Sequence, residues 1–505
     1  MAGIGFELKK LFHRRGLMAM LRAYGYAGVI CAGPMLLGVL LQFGVLIVSG
    51  WWQVGRPDRD LLVCMITYTL LASLVLTSFL SMPVTRFLAD LPSFWGSTGI
   101  MLVVGAVLYT VFLLFSGATL MQGTLCLWLF LEMVVNWNAM SYLTAIKDYK
   151  SILYSFAAAV LVAFITSCAL LALALPPVES LLFAVVLGYG VMLVWDVLLL
   201  HRYFPQSREN PWLFLQWVDQ FLPLALTGLF TTIGLFAHLV ITWCGPLGIK
   251  VKGLFYGAPY YDVPAMLAFL TILITTVNFV VSVEVNFYPT YRSYYSLLND
   301  GGTVKDITVA ENEMLAVLNR ELHYTALKQL LVTAAVISLE KTVLNALPLG
   351  FNDAMHGYFR VLCVGYALYA VGNTVMLILL YFTDYSGALT ASALFAGSTV
   401  IFAVIGQFFT TTLFGFGFLV GASLFAIYAM FRLASYTDNL PYRVLGQQPI
   451  VAQTKRGRFT ELGILLEHGE QRIDQSLQRT EHKRHARREC GTNITEANNA
   501  IGEES

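Results

Sequence analysis

The stretch Leu70-Leu71-Ala72-Ser73-Leu74-Val75-Leu76 lies in an apolar run over residues 61–84 and is apolar all round when drawn as a helix. About twelve such runs, each roughly twenty residues long, fill nearly everything between Tyr24 and Leu433, and about twenty helical residues cross the hydrocarbon core of a membrane. A transmembrane β-barrel would instead show segments of about ten residues that alternate apolar and polar side chains. The runs therefore predict an all-α polytopic membrane protein, in which the bilayer is the solvent.

The composition agrees with this prediction. The 505-residue chain is 57% hydrophobic and 12% charged, whereas soluble domains carry about 25% charged residues. Twelve transmembrane helices are predicted, with boundaries at residues 25–48, 61–84, 97–117, 121–145, 152–175, 180–202, 219–244, 262–287, 327–347, 356–382, 387–408 and 412–433.

The placement of Lys and Arg predicts the orientation. The first 22 residues and the last 70 both carry clusters of Lys and Arg, such as Lys9-Lys10 and Arg487-Arg488. Because positively charged segments stay on the cytoplasmic side, both termini are predicted to be cytoplasmic, which requires an even number of spans. The net charge of +1 gives no indication of a nucleic-acid partner.

The span ends repeat between the two halves of the chain. Spans 2 and 8 both end in Pro-x-x-Arg, spans 4 and 10 both end at Asp-Tyr, and spans 6 and 12 both run into an arginine; the residues are Pro83 and Arg86 with Pro289 and Arg292, Asp148-Tyr149 with Asp384-Tyr385, and Arg202 with Arg432. Two six-helix halves that both begin inside are parallel repeats, an arrangement found in many alternating-access transporters.

These patterns predict four regions. An amphipathic helix over residues 1–24 lies on the inner leaflet, and six-helix lobes cover 25–202 and 203–434. The second lobe contains a cytoplasmic insertion over 297–325, in which Ile307, Leu315, Leu318 and Leu322 at helical spacing predict a surface helix. Residues 435–505 form a cytoplasmic tail with no assigned role.

Ionisable groups inside spans are costly, so each is a candidate for a functional site. Acidic and amide groups predominate over Lys341 and Arg360, and the candidates for a substrate pathway are Glu132, Asn136, Asp196, Asp219, Asp262, Glu284 and Glu340. Interhelical pairing is the alternative role for each of them. The excess of carboxylates favours a cationic or neutral polar cargo.

Tyrosines cluster around both ends of span 8, where they serve as interfacial anchors or stack on sugar rings; Tyr261 and Tyr288 are added to the pathway candidates for the second reason. Proline in spans 7 and 8, at Pro223 and Pro264, can open the helical backbone toward a cavity. No Walker loop, metal-ligand spacing or catalytic constellation is visible, so no cofactor, metal or enzymatic activity is expected.

Several motifs resemble one family. The opening Met1-Ala2-Gly3-Ile4-Gly5-Phe6-Glu7-Leu8-Lys9-Lys10-Leu11, Pro259-Tyr260-Tyr261-Asp262, and Glu284-Val285-Asn286-Phe287-Tyr288 are similar to the PelG family, multi-spanning proteins of the bacterial inner membrane. The resemblance covers about residues 1–450. Where family members often carry a charged pair in span 7, this chain has Phe236-Ala237-His238-Leu239.

The resemblance implies a twelve-span relative of the polysaccharide and oligosaccharide flippases. It also implies a cytoplasmic glycosyltransferase as partner, together with membrane components that sense cyclic di-GMP. The implied cargo is an exopolysaccharide rich in N-acetylgalactosamine and partly deacetylated. Two mechanisms stay open at this point: the chain is the conduit for the glycan, or it is a membrane scaffold that docks and activates the glycosyltransferase.

Overall fold

The computed structural model describes residues 28, 41, 44–45, 47–86, 91–146, 148–204, 210–346, 350–409, 414–446 and 457–469. The predicted helix over 1–24, most of the predicted first span over 25–48 and the end of the tail lie outside these residues. Eleven of the described helices are long and apolar enough to cross a membrane. They correspond to the predicted spans 2 to 12, which confirms the predicted fold class.

The first lobe contains five of these helices, which run back and forth across the membrane. They are α1 (Arg56–Arg86), α2 (Leu91–Phe115), α3 (Leu120–Ile146), α4 (Tyr149–Ala172) and α5 (Pro177–Tyr203). A short helix, α6 (Phe214–Gln220), then leads into the second lobe. We call the end predicted to be cytoplasmic the inner end and the opposite end the outer end.

The second lobe begins with α7 (Leu222–Trp243), followed by an antiparallel hairpin of β1 (Ile249–Lys252) and β2 (Phe255–Gly257) at the outer end. The remaining helices are α8 (Pro259–Phe269), α9 (Leu273–Val281), α10 (Tyr288–Asn299), α11 (Val304–Ala346), α12 (Asp353–Tyr381), α13 (Tyr385–Gln407), α14 (Phe416–Thr437) and the short α15 (Leu440–Gly446). A further tail helix covers residues 458–469.

The same pairs of helices pack in both lobes. In the first lobe α3 packs on α1, α2 and α5, and α4 packs on α5; in the second, α12 packs on α8, α11 and α14, and α13 packs on α14. Each pair in the first lobe thus has its counterpart six spans later. The predicted duplication is therefore visible in the packing as well as in the span ends.

The repeated Asp-Tyr motif has a shared structural role. Asp148 caps the N-terminus of α4 by accepting from the Ser151 amide at 3.3 Å, and Asp384 caps α13 by accepting from the Gly387 amide at 3.1 Å. A carboxylate at this position satisfies amide groups that have no partner within the helix. The motif therefore recurs because the fifth helix of each lobe begins with the same cap.

The end of the sixth helix binds each of these caps. The Tyr203 hydroxyl donates to Asp148 at 2.8 Å, whereas Arg432 donates to both oxygens of Asp384 at 2.6 and 2.9 Å. Desolvation raises the pKa of the Asp384 carboxyl, but the hydrogen bonds from Arg432 and Gly387 outweigh it and hold the pKa below the ordinary value of 3.8. The arginine end of the span repeat thus fixes a helix terminus in the second lobe.

The proline part of the repeat has a less uniform setting. Pro83 is buried inside α1, and Pro289 is the second residue of α10, with Arg292 exposed one turn further on. The side chain of Arg86 lies outside the described part of the chain. Pro223 does not interrupt span 7 as expected, because it stands at the start of α7, where proline is well tolerated.

The insertion differs from the predicted separate surface helix. Its helix is present, but α11 continues without a break into span 9 over 43 residues, which is about 65 Å at 1.5 Å per residue. A membrane core of roughly 30 Å cannot contain it, so its first half projects from the inner end. Met314 and Leu318 of that half are buried against α10 and the inner ends of α12 and α14.

Span 8 is helical throughout, but its hydrogen-bond pattern changes along its length. Between α8 and α10 the backbone passes through a 3₁₀ turn (Leu270–Ile272), the short helix α9 and a π-helical segment (Ser282–Phe287). Such irregular backbone is tolerated in membranes where it is enclosed by protein and often accompanies binding sites in transporters. Glu284 lies in the π-helical segment, and its side chain is outside the described part of the structure.

The two lobes contact each other at both ends. Near the inner end α1 crosses α7 so closely that a Cβ on Gly228 would lie 2.5 Å from the Ser78 carbonyl oxygen. At the outer end the hairpin reaches the α2–α3 turn, where the Leu254 amide donates to the Ser116 carbonyl at 3.2 Å and Lys252 donates to Gln122 at 3.1 Å. The space between the lobes is therefore bounded from both sides.

Candidate functional site between the lobes

A cavity of about 280 Å³ lies between the lobes, on the outer side of the Gly228 contact. The interlobe cavity, as we name it, is lined from the first lobe by Val45, Val63, Ile66 and Thr67, and from the second by Phe236, Leu239, Trp243, Asp262, Val263, Ala265, Met266, Phe269 and Tyr366. Its volume is just below the range for ligand sites, about 300–1,000 Å³. A polymer would pass only if the contacts at the two ends separated.

Asp262 is the charged group of this cavity. It stands in the first turn of α8 and accepts from the Trp243 indole at 2.9 and 3.0 Å and from the Ala258 amide at 2.9 Å. Negative charge is favoured at a helix N-terminus. Within the described residues it has no ion-pair partner, so neutral donors hold the carboxylate in place and it keeps accepting capacity for a polar ligand.

Two aromatic side chains join the lobes beside Asp262. The ring of Tyr68 on α1 stacks on Trp243 at the end of α7, with centroids 4.8 Å apart and planes 17° apart. The Tyr68 hydroxyl donates to the Tyr256 carbonyl at 3.0 Å and accepts from the Tyr256 amide at 3.2 Å. The hairpin, α7 and the first lobe are thus connected through one tyrosine, which the sequence patterns did not single out.

A second polar group supports the cavity from behind. His238 is 1% exposed, with Nδ1 2.9 Å from the Tyr261 hydroxyl and Nε2 3.4 Å from the Tyr366 hydroxyl. Tyr366 lines the cavity, whereas Tyr261 is itself 1% exposed and packs behind it. At the position where related proteins were expected to carry a charged pair, this chain therefore has a buried histidine between two tyrosines.

Three predicted residues are buried inside the first lobe instead. Asn136 of α3 donates to the Tyr189 carbonyl of α5 at 3.2 Å, and Glu132, one turn earlier, faces Gly190. Asp196 is fully buried. Its neighbour Ser155 donates its hydroxyl to the Ile152 carbonyl, and no hydrogen bond of normal geometry from Ser155 to the Asp196 carboxylate is observed. None of the three lines the interlobe cavity.

Asp219 binds the tail. It lies on α6, outside the membrane spans, and accepts from the Thr460 amide and hydroxyl, both at 2.6 Å, and from the Phe459 amide at 3.3 Å. Partial desolvation opposes these hydrogen bonds, but they prevail and lower the pKa of the carboxyl. Asp219 therefore caps the tail helix and is not directed into the interlobe cavity.

The remaining candidates lie at the ends of the bundle. Glu340 forms an ion pair with Arg360 and lies 3.6 Å from His356 at the outer end, so it is engaged in interhelical pairing. Tyr288 is 44% exposed near the inner end. Of the predicted side chains that are described, only Asp262 lines the interlobe cavity, and Tyr261 supports it.

The fold, two lobes of membrane-spanning helices, is similar to that of known transporter structures. Its structure is similar to an outward-facing conformation of a multidrug resistance MATE family transporter of the MOP superfamily, with a TM-score of 0.56, 15% identity, and coverage of 84% of this chain and 97% of that chain. An inward-facing conformation of a MATE family transporter has a TM-score of 0.52 and 15% identity, with coverage of 82% of this chain and 98% of that chain. A MATE crystal structure in a bent conformation has a TM-score of 0.53 and 15% identity, with coverage of 84% of this chain and 97% of that chain. At this identity the likeness shows the fold alone.

The family follows from the sequence itself. The model of the PelG family, described as "Putative exopolysaccharide Exporter (EPS-E)", matches residues 1–445. The chain belongs to the PelG family and is a multi-pass inner-membrane transporter and not an enzyme. No curated protein sequence matches it significantly.

Proposed function

We propose that the chain moves a nascent exopolysaccharide across the inner membrane through the space between its lobes. The interlobe cavity carries this proposal, because it combines one carboxylate with an aromatic wall at the seam of a duplicated transporter fold. Aromatic faces pack against the apolar faces of sugar rings, and a carboxylate accepts hydrogen bonds from sugar hydroxyls. Neither interaction requires the cargo to carry a charge.

The specific cargo and partners are part of the same proposal. A polymer rich in N-acetylgalactosamine, delivered by a cytoplasmic glycosyltransferase in a complex with a cyclic di-GMP sensor, is consistent with the family. Neutral N-acetyl sugars suit a cavity whose described polar groups are one carboxylate, one tyrosine, a threonine and an indole. The ion pair between the buried Glu340 and the half-exposed Arg360 at the outer end leaves that arginine neutralised.

A scaffold role is the second candidate, and the projecting half of α11 favours it. This half extends beyond the membrane at the inner end and exposes apolar side chains, among them Val304 at 82% and Val309 at 60%. Exposed apolar residues on a projecting amphipathic helix are typical of protein docking. In this role α11 would hold the glycosyltransferase while the cavity stayed a packed seam.

Translocation into vesicles separates the two roles. The chain is reconstituted with its glycosyltransferase and sugar nucleotide, and polymer protected inside the lumen is measured. We expect Asp262→Asn to reduce luminal polymer at least about tenfold while polymer synthesis outside continues, since one hydrogen-bonded carboxylate contributes on the order of 1.5–3 kcal/mol. Asp353→Asn is the matched control, because Asp353 is exposed in the first turn of α12 at the same outer end.

Two outcomes would exclude the conduit. If equal amounts of polymer reach the lumen with Asp262→Asn and with wild type, the interlobe cavity is not part of the translocation path. If polymer reaches the lumen of vesicles that lack the chain, the chain is not the conduit. If deleting residues 301–325 releases the glycosyltransferase while Asp262→Asn is silent, the scaffold role is the correct one.

A further inference from the structure

A second and larger concave surface lies on the outside of the first lobe, away from the interlobe cavity. This α3–α5 groove has a volume of about 770 Å³, and its lining residues include Trp128, Glu132, Gly190, Val194, Trp195 and Arg202. All of its described lining residues belong to α3 and α5 of the first lobe. It is therefore a feature of one lobe and not part of the proposed path.

A buried carboxyl faces into the groove. Glu132 is 8% exposed, and its Oε2 is buried without a hydrogen-bond partner among the described residues, while the Trp128 indole lies beside the carboxyl from the preceding turn. Gly190 of α5 leaves space for it, because a Cβ there would lie 3.2 Å from Oε1. A buried polar group without a partner is costly, so this arrangement is incomplete within the described part of the chain.

The rim of the groove is apolar and open to the membrane. Trp128 is 61% exposed, Val194 56% and Leu198 65%. In a membrane-spanning bundle, such exposed side chains contact lipid or the helices of another protein. Lipid tails would cover the rim but cannot hydrogen-bond a carboxyl.

The depth of Glu132 excludes a lipid headgroup as the missing partner. Glu132 is twelve residues from Leu120 and fourteen from Ile146, the two ends of α3, which places it about 18 and 21 Å from those ends at 1.5 Å per residue. Lipid headgroups lie at the interface, at the ends of such a helix. A side chain carried on another membrane-spanning helix reaches this depth as a donor.

We propose that the α3–α5 groove docks a transmembrane helix of a partner protein that carries a Lys or Arg near the middle of its span. The apolar rim packs against that helix, the basic side chain completes Glu132, and Gly190 provides the close approach. Ionisable residues inside membranes are commonly paired across helices in this way. The proposal is independent of the translocation role, since it concerns a surface outside the interlobe cavity.

Designed peptides test this directly. The full chain in lipid nanodiscs is titrated with a fluorescent Leu/Ala transmembrane peptide that has one central lysine, and energy transfer from the groove tryptophans is followed. The all-apolar parent peptide and a peptide with its lysine moved seven residues toward one end, about 10 Å away, serve as depth controls. We expect the central-lysine peptide to bind about tenfold more tightly than either control.

Two variants assign the effect to the groove. Glu132→Gln should abolish the advantage of the central lysine, and Gly190→Val should do the same by filling the space beside the carboxyl while Glu132 remains. Glu179→Gln in the first turn of α5, outside the groove, should have no effect. Monodisperse elution and an unchanged melting temperature show that each variant is folded, and Gly190→Val decides the question if Glu132→Gln is unstable.

Several results would overturn the proposal. One is equal binding of the three peptides, and another is a lysine advantage that survives both Glu132→Gln and Gly190→Val. A third is a photo-crosslinker at position 198 that captures, in native membranes, only lipid or a second copy of this chain. Capture of a membrane protein whose crosslinked helix has a mid-span Lys or Arg, lost with Glu132→Gln, would support it.

Discussion

The contact between Gly228 and Ser78 predicts that a single methyl group shifts the balance between conformations. In Gly228→Ala the new Cβ would lie 2.5 Å from the Ser78 carbonyl oxygen, a backbone atom that cannot rotate away. Helices α1 and α7 must then move apart where the lobes meet near the inner end. Overpacking of this kind costs about 1–3 kcal/mol.

If the chain is the proposed conduit, a conformation with the inner end open would not carry this cost, because its lobes would be separated there. A penalty of about 1–3 kcal/mol on one of two states changes their ratio by roughly 5- to 150-fold. We therefore expect Gly228→Ala to populate the inner-open conformation strongly. Gly397→Ala is the control, since Gly397 lies on α13 of the same lobe with nothing within 4 Å of its would-be Cβ.

Distances between the inner ends of the lobes provide the assay. Spin labels on noncanonical side chains at His201 and Arg292, both exposed, report on the first and second lobe respectively. Pulsed electron paramagnetic resonance should show a longer-distance population for Gly228→Ala and the wild-type distribution for Gly397→Ala. A lower melting temperature for Gly228→Ala with an unchanged distance distribution would refute the reasoning, since the clash would then be absorbed without separating the lobes.

Two further predictions concern the inner end. Because the pKa of Asp384 is lowered in the folded protein, its contribution to stability is present above the ordinary pKa of 3.8 and is lost as the pH falls through the folded value. Melting curves should show Asp384→Asn less stable than wild type at neutral pH by about 1–3 kcal/mol, with the difference shrinking toward pH 3; a constant difference would contradict the pairing with Arg432. Asp219→Ala removes the cap of the tail helix, worth about 1 kcal/mol, so hydrogen exchange should rise in residues 457–469 and stay unchanged in α3; equal exchange in variant and wild type would mean that the tail is held by its apolar contacts alone.

The fold was accessible from the sequence because hydrocarbon imposes a strict requirement on the backbone. Every apolar run of about twenty residues must be helical, so counting runs predicts the described helices with little ambiguity. The repeated Asp148 and Asp384 were also informative, since a capping residue has a local role that recurs with the helix it begins. The continuity of α11 was not accessible, because nothing in the apolar spacing distinguishes a separate surface helix from the extension of a span.

The site was predicted less completely, since burial inside a span does not show which neighbour a side chain meets. Glu132, Asp196 and Glu340 carry the same sequence signal as Asp262, yet only Asp262 lines the interlobe cavity. Tyr68 and Trp243 were missed because an aromatic residue in an apolar run is ordinary until the partner across the seam is known. Asp219 was misplaced because the predicted span began at residue 219, whereas α7 begins at Leu222.

The length of α11 connects the two mechanisms that the sequence left open. A helix of about 65 Å without an internal joint behaves as a lever, and a tilt of about 5° about one end displaces the other end by roughly 6 Å. Its projecting half is the part that a cytoplasmic enzyme would hold, and its other half is a wall of the second lobe. A force that the enzyme applied to the projecting half during synthesis would tilt the whole helix and so move the wall of the second lobe. Docking of the enzyme and opening of the path would then be coupled through α11.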